Sequence, residues 1–162
     1  MTFFLIRPTD EHDRPFIREF ITRRWKAEAV VAHGEIIYPA ELPGFMAEHD
    51  HETFGLITYQ IKNNQCEVIT LDSLKEGQGI GTHLIEAVKT RAAKAGCSRI
   101  WVITTNDNLS ALGFYQKRGF KIKAIAINAV EKSRILKPSI PLTGYKGIQI
   151  RDEIELEMSL SG

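Results

Sequence analysis

Two stretches of the chain combine residue types suited to holding an anion and moving a proton. The first, Glu76-Gly77-Gln78-Gly79-Ile80-Gly81, sets a glycine at every second position. A glycine turn opening a helix lets backbone approach a phosphate with no Cβ in the way. The free N–H groups of the first helical turn then point at the ligand, and the helix dipole favours negative charge. The second stretch runs Asn106-Asp107-Asn108-Leu109-Ser110-Ala111-Leu112-Gly113-Phe114-Tyr115-Gln116-Lys117-Arg118-Gly119-Phe120. Its Tyr115 can hand a proton or a hydrogen bond to a leaving group, or pack as a helix-face aromatic like Phe114 beside it. Asn108 stands where it can bond a ligand or cap the next helix.

The glycine turn fits neither of two common phosphate loops. A dinucleotide fingerprint needs a glycine three positions after Gly79, where the chain has Thr82, and a P-loop needs a lysine directly after its last glycine, where Gly81 is followed by Thr82.

The elements that must position these residues are read from periodicity. Residues 3–7 read as a first strand closed by Pro8, with Thr9 or Asp10 able to cap the next element. Phe16, Ile17, Phe20, Ile21 and Trp25 recur at helical spacing, predicting an amphipathic helix over 13–25. Residues 30–43 lack periodicity and contain Gly34, Pro39 and Pro43, so most of this stretch reads as loop. Three strands then form an antiparallel meander over 44–48, 53–61 and 65–73, the last two joined by Asn63-Asn64, which tolerate positive φ. After the glycine turn, Leu84, Ile85, Val88 and Ala92 mark a helix ending near Gly96. The apolar run 100–103 suits a strand buried on both faces. A short helix over 109–118 stops at Gly119, and two further strands are expected over 120–127 and 153–160. The order is α+β in one domain, 1–162.

The two motifs together resemble the acyl-CoA signature of the GCN5-related N-acetyltransferases. The first family motif begins with Arg or Gln, then two residues, Gly, one residue, and Gly or Ala; here Glu76 stands at its start. The second, Asn-x-x-Ala followed by Tyr and Gly-Phe, is matched by Asn108, Ala111, Tyr115, Gly119 and Phe120. The match is specific over 66–120. The resemblance implies a mixed, mostly antiparallel sheet flanked by helices, and acetyl-CoA as co-substrate. It places the pantetheine arm along Leu71, Asp72 and Ser73, and the pyrophosphate at Gly77, Gln78, Gly79, Ile80, Gly81 and Thr82, with Glu76 turned to solvent and Asn108 and Tyr115 also touching the cofactor. A backbone N–H at the strand end would polarise the thioester carbonyl; an ordinary strand end is the alternative. Tyr115 would be the general acid. Glu67 would be a base acting through water, or simply a solvated strand carboxylate, with Asp72 the weaker candidate. Trp25, His33, Glu35 and Tyr38 lie where the family builds its acceptor wall. The implied reaction is acetyl transfer to an amine by direct attack; the alternative is a non-catalytic acyl-CoA sensor or partner module.

Composition narrows the partners. The chain has 162 residues, 43% hydrophobic and 25% charged, with 21 Lys plus Arg against 20 Asp plus Glu. A net charge of +1 gives no electrostatic reason to expect nucleic acid or a membrane surface. No apolar run reaches spanning or leader length, so a cytoplasmic location is expected. Cys66 and Cys97 read as free thiols. His49-Asp50-His51-Glu52 reads as a turn, and no metal is expected. The stretch 128–151 is far longer than a hairpin needs. Its Val130, Ile135, Leu136, Ile140, Leu142 and Ile148 should bury against the domain. It should wall the acceptor cleft, with Lys137, Ser139 and Arg151 as polar contacts, or form a homodimer contact, or serve only as a structural cover.

Overall fold

The computed structural model describes residues 3–160. By contact density the chain divides into two compact units. The first comprises Met1–Glu28, Tyr38–Ile100 and Ser159–Gly162, and the second comprises Ala29–Ile37 and Trp101–Met158. Both units draw on separate stretches of chain, so neither is a continuous segment that could be cut out at one point. Among the described residues no helix is long and apolar enough to cross a membrane.

In the first unit, strands β1 (Leu5–Pro8), β4 (Gly44–His49), β5 (Glu52–Lys62) and β6 (Gln65–Ser73) lie side by side in that order, all antiparallel. Strand β1 starts at Leu5 rather than at residue 3, and Pro8 belongs to it, opposite Phe45. Proline is tolerated there because β1 is an edge strand. The β5–β6 turn is Asn63-Asn64, with φ of 52° and 58° at the two residues, the geometry of a two-residue hairpin. The β4–β5 turn uses Asp50 and His51 at φ 46° and 64°.

Helix α1 (Arg14–Trp25) follows a single 3₁₀ turn, Glu11–Asp13, which Asp10 caps by accepting from the His12 N–H. Its Ile17 and Ile21 are fully buried and pack with Ala40, Met46 and Leu56 on one sheet face. Helix α2 (Ile80–Lys94) buries Ile80, Leu84, Ile85, Val88 and Ala92 and packs on β4, β5 and β6. Gly55 of β5 sets how near this helix can come. A Cβ at Gly55 would stand 2.7 Å from Ile80 Cγ2 and 2.8 Å from the Asp72 carbonyl oxygen.

The second unit contains a hairpin that the sequence reading missed. Strands β2 (Val30–Ala32) and β3 (Glu35–Ile37) pair across His33-Gly34, both at positive φ (40° and 80°). The stretch expected to be mostly loop therefore holds two short strands and a 3₁₀ turn, Pro39–Glu41. In β7 (Arg99–Thr105) the part within this unit alternates, Val102 being buried while Trp101 and Ile103 are half-buried. The apolar run is thus covered fully on one face, not on both. Strand β9 (Glu153–Ser159) lies between β7 and β8 (Lys121–Ala126). Every residue of β8 is exposed. Helix α3 (Leu109–Lys117) is closed by Gly119 at φ 99°, and α4 (Ala129–Leu136) opens the long stretch after β8.

That stretch differs from the expectation of apolar burial. Val130 and Ile150 are buried, but Ile135 is 80% exposed and Leu142 70%. Hydrogen bonds hold it instead. The Arg134 guanidinium donates to the carbonyls of Ile140, Pro141 and Ile150. Asn106 donates to the Gln149 carbonyl at 2.8 Å and accepts from the N–H groups of Arg151 and Asp152, both at 3.0 Å. Asp152 in turn accepts from the Asn128 N–H at 2.8 Å.

Candidate functional site

Strand β6, the glycine turn and α2 are consecutive, and the first two set how α2 begins. Gly77 and Gly79 sit at φ 75° and 74°, and a Cβ at Gly77 would meet nothing within 4 Å. Gly79 is the N-cap of α2 in left-handed geometry, where only glycine is free of steric cost. The His83 N–H bonds back to the Gly79 carbonyl at 3.0 Å, and the His83 ring does so through Nδ1 at 2.7 Å. The N–H groups of Ile80 and Gly81 lie in the first turn of the helix, where the backbone points its donors outward along the axis. Gln78 and Glu76 are exposed, while Ile80 and Gly81 are buried. The glycine turn thus opens a helix of four turns, the kind of backbone arrangement that suits an anion. His83, which fastens the turn, was not picked out from the sequence; its spacing of four from Gly79 is the signal that would have found it.

Strand β6 carries a bulge. Thr58 faces Thr70 and Tyr59 faces Val68, so Ile69 is the extra residue. A bulge bends the strand and re-aims its backbone groups. Beyond it lie Leu71, Asp72 and Ser73. Asp72 is buried on the side of α1, where the Trp25 indole N–H donates to it at 3.1 Å and Arg24 at 3.3 Å. Burial holds the Asp72 carboxyl above the usual carboxylate range, opposed by the Trp25 and Arg24 contacts. The structure therefore joins Trp25, expected on the acceptor wall, to Asp72, expected on the cofactor side. Tyr38, another expected wall residue, is about half exposed.

Glu67 is not a solvated carboxylate. It is buried in mid-strand and accepts from the Gln60 side-chain amide at 3.1 Å. At roughly 3.3 Å per residue it lies about 16 Å along β6 from Asp72, so the two carboxylates form separate sites.

In the second unit, Asn108 caps α3, its side chain accepting from the Ala111 N–H at 3.2 Å. Tyr115 lies on α3 and is 6% exposed. Its ring meets Phe114 and Phe120 edge-on at 5.3 and 5.2 Å. Asn106 and Asp107, which directly precede the cap, anchor the stretch 144–152. Asp107 reaches the Tyr145 N–H at 3.5 Å, and a Cβ on Gly144 would strike its carboxylate. His33 pairs with Glu35 at 3.8 Å, and its ring lies 5.7 Å from that of Trp101. Among the described residues no group of three or more His, Cys, Asp and Glu side chains is placed to hold a metal.

The sequence from residue 6 to 120 matches the Acetyltransferase (GNAT) family. The chain belongs to the GNAT acetyltransferase family. YdhI of Bacillus subtilis (strain 168), an uncharacterized protein, is 44% identical over 151 residues, covering 93% of this chain and 94% of that one. Among solved GNAT-like structures, the IAA acetyltransferase of Bacillus cereus superposes with a TM-score of 0.72 at 21% identity, covering 97% of this chain and 99% of its own. A GNAT family acetyltransferase from Elizabethkingia anophelis with acetyl-CoA bound gives 0.66 at 21% identity, covering 96% and 97%. The fold is thus that of GNAT acetyltransferases, α+β with a mostly antiparallel mixed sheet flanked by helices.

Proposed function

We propose that the chain is an N-acetyltransferase that moves the acetyl group of acetyl-CoA to an amine by direct attack. The observation that carries this reading is the cradle from Gly77 to Thr82, built at the end of a bulged strand in a chain of this family. Its N–H groups suit a pyrophosphate, and the missing side chains at Gly77 and Gly79 leave room for one.

Acetyl-CoA supplies an acyl carbonyl and a thiolate leaving group. The residues of the chain do the rest. Backbone N–H groups of β6 beyond Ile69 pair with the extended arm and draw charge onto the carbonyl oxygen. The acceptor must present a neutral nitrogen, since an alkyl amine has a pKa near about 10.4. Glu67 is the carboxylate to which the family resemblance assigns the departing proton, relayed by water. Asp72, tied to Arg24 and Trp25, holds the end of α1 against the strand. As the C–N bond forms and the C–S bond breaks, Tyr115 gives the sulfur a proton. Asn108 fixes the start of the helix that carries Tyr115. In this reading the whole chain is one catalytic domain in the cytoplasm, and 128–151 is an insertion within it.

The test pairs two variants. Gly79→Val should abolish acetyl-CoA binding by calorimetry while circular dichroism stays native. Tyr115→Phe should keep that binding and lower kcat by about 10²- to 10⁴-fold. Native acetyl-CoA affinity in a folded Gly79→Val protein would overturn the assignment. A Tyr115→Phe protein that binds normally and turns over at the native rate would remove the acid.

A further inference from the structure

Helix α1 sends Ile17 and Ile21 into the core, but its phenylalanines do not follow them completely. Phe16 is 46% exposed, and Phe20 is half-buried at the edge of that core. Positions 16, 20, 23 and 24 share one side of a helix, so the two phenyl rings are followed along α1 by Arg23 and Arg24. Across from this side come His51 of the β4–β5 turn, Thr53 of β5, and Leu74 just past β6. The Leu74 N–H is fixed by a 2.7 Å bond to the Phe54 carbonyl. With Glu19, these residues line a cavity of about 380 Å³, a size in the range of small-ligand sites, about 300–1,000 Å³. Every lining residue belongs to the first unit, and among the described residues none comes from the glycine turn, 77–82.

The cavity has an apolar part and a cationic part. The Phe16 and Phe20 rings lie 6.0 Å apart at 35°, and Leu74 adds an exposed apolar side chain. A flat ring suits such walls, because aromatic pairs gain beyond the area they bury. Among the charged groups, Glu19 and Arg23 lie one turn apart and pair with each other. Arg24 is the cation left over. Its guanidinium donates through Nε to Asp72 at 3.3 Å, and among the described residues Nη1 and Nη2 make no other hydrogen bond. Asp72 is buried, and burial holds its carboxyl above the usual carboxylate range, so it offsets Arg24 less than a solvated carboxylate would. The two Nη groups of an arginine can take a carboxylate through parallel bonds.

We propose that this cavity binds a small aromatic carboxylate, with its ring against Phe16, Phe20 and Leu74 and its carboxylate on the Nη edge of Arg24. The site lies apart from the glycine turn, and the proposal does not depend on the acetyl-transfer reading.

Phenylacetate, phenylacetamide and acetate test it, offering the ring with a charge, the ring without one, and the charge without a ring. Each is titrated into the full chain and followed by calorimetry and by the NMR shift of the Trp25 indole N–H, which donates to the same Asp72 that Arg24 holds. Phenylacetate should bind saturably and about tenfold tighter than phenylacetamide, the worth of one charge-assisted contact, and acetate should bind weakest. Arg24→Gln should weaken phenylacetate about tenfold and leave phenylacetamide unchanged. Phe16→Ser, at an exposed helix position, should weaken both ring probes about fivefold. Saturating CoA should leave the affinity for phenylacetate as it was. The proposal falls if phenylacetate shows no saturable binding, if it binds no better than phenylacetamide, if a folded Arg24→Gln protein keeps the preference, or if CoA displaces it. Should Arg24→Gln not fold, the three probes on the native chain and on Phe16→Ser decide. Failure of CoA to bind a chain that still binds phenylacetate would overturn the acetyl-transfer reading and leave this site standing.

Discussion

The β5–β6 hairpin and the stretch 128–151 are held by different forces. In the hairpin, Leu56, Ile57, Thr58, Cys66, Val68 and Thr70 are buried, and pairing runs without a gap in partners from Gly55–Ser73 to Lys62–Gln65 apart from the bulge. In 128–151, large apolar side chains such as Ile135 and Leu142 face water, and Arg134, Asn106 and Asp152 supply the ties. Burial is non-directional and shared among many neighbours, so a hairpin built on it fails with its whole core. A set of side-chain-to-carbonyl bonds is directional and local, so it can open while the rest of its unit stays folded. The glycine turn that opens α2 follows directly on the first kind of structure.

The comparison can be broken most forcefully at Leu56, which is fully buried beside Ile17, Ile21 and Met46. Leu56→Ala should cost about 3–4 kcal/mol, the usual loss for a buried leucine left as a cavity. Urea unfolding should show one transition moved to lower denaturant. A change confined to one probe would mean the core is less cooperative than described.

Arg134→Ala removes the guanidinium that ties three carbonyls together. The expected loss is about 2 kcal/mol, felt locally. Amide exchange should quicken over 137–149 with little dependence on urea, since few apolar side chains there leave a core. Equal quickening in the β5–β6 hairpin would show that the two regions open together.

Asp72 gives a pH signature to the buried region. Its carboxyl lies above the usual range in the folded chain because of burial. Between the unfolded and folded pKa values the folded state binds more protons, so this residue makes stability fall as pH rises through that window. Asp72→Asn should remove that fall. The stability difference, native minus variant, should therefore decrease with rising pH; a flat difference would place Asp72 in a more watery setting.

The smallest effect is expected at Cys66. Burial pushes its thiol up to about 12, and the side chain is inaccessible. Iodoacetamide at pH 8 should leave it unmodified in the folded chain and label it in urea. Rapid native labelling would contradict the packing of β6.

Regular elements with strong local signals were legible in the sequence. The bounds of β6, the Asn63-Asn64 turn, the first helix (expected over 13–25, found over Arg14–Trp25) and the Gly119 stop all follow from periodicity or from a positive-φ residue. The β2–β3 hairpin did not show, because strands of three residues are too short to display a period. The left-handed turn at Gly77 and Gly79 was legible because a glycine run states its geometry directly. The ties of Asn106 and Asp107 were not, although both residues stand inside the second motif. Their partners lie about forty positions away in backbone carbonyls and N–H groups, and backbone partners leave no mark on sequence. The exposed leucines and isoleucine of 128–151 misled for the opposite reason: apolar type was read as a demand for burial, which a segment fastened by hydrogen bonds does not have to meet.

Gly55 has a consequence for how the cradle can be altered. The residue lies on β5, on the sheet beneath α2, and touches Ile80 only through its lack of a side chain. Any Cβ there must lift the first residue of α2 or push the Asp72 carbonyl, both under 3.0 Å away. One methyl group in the sheet would therefore press on the start of α2 through the Ile80 side chain and on the β6 backbone at Asp72. Gly55 is in effect a spacer of zero thickness, and the distance between the start of α2 and strand β6 is set from behind by an atom that is absent.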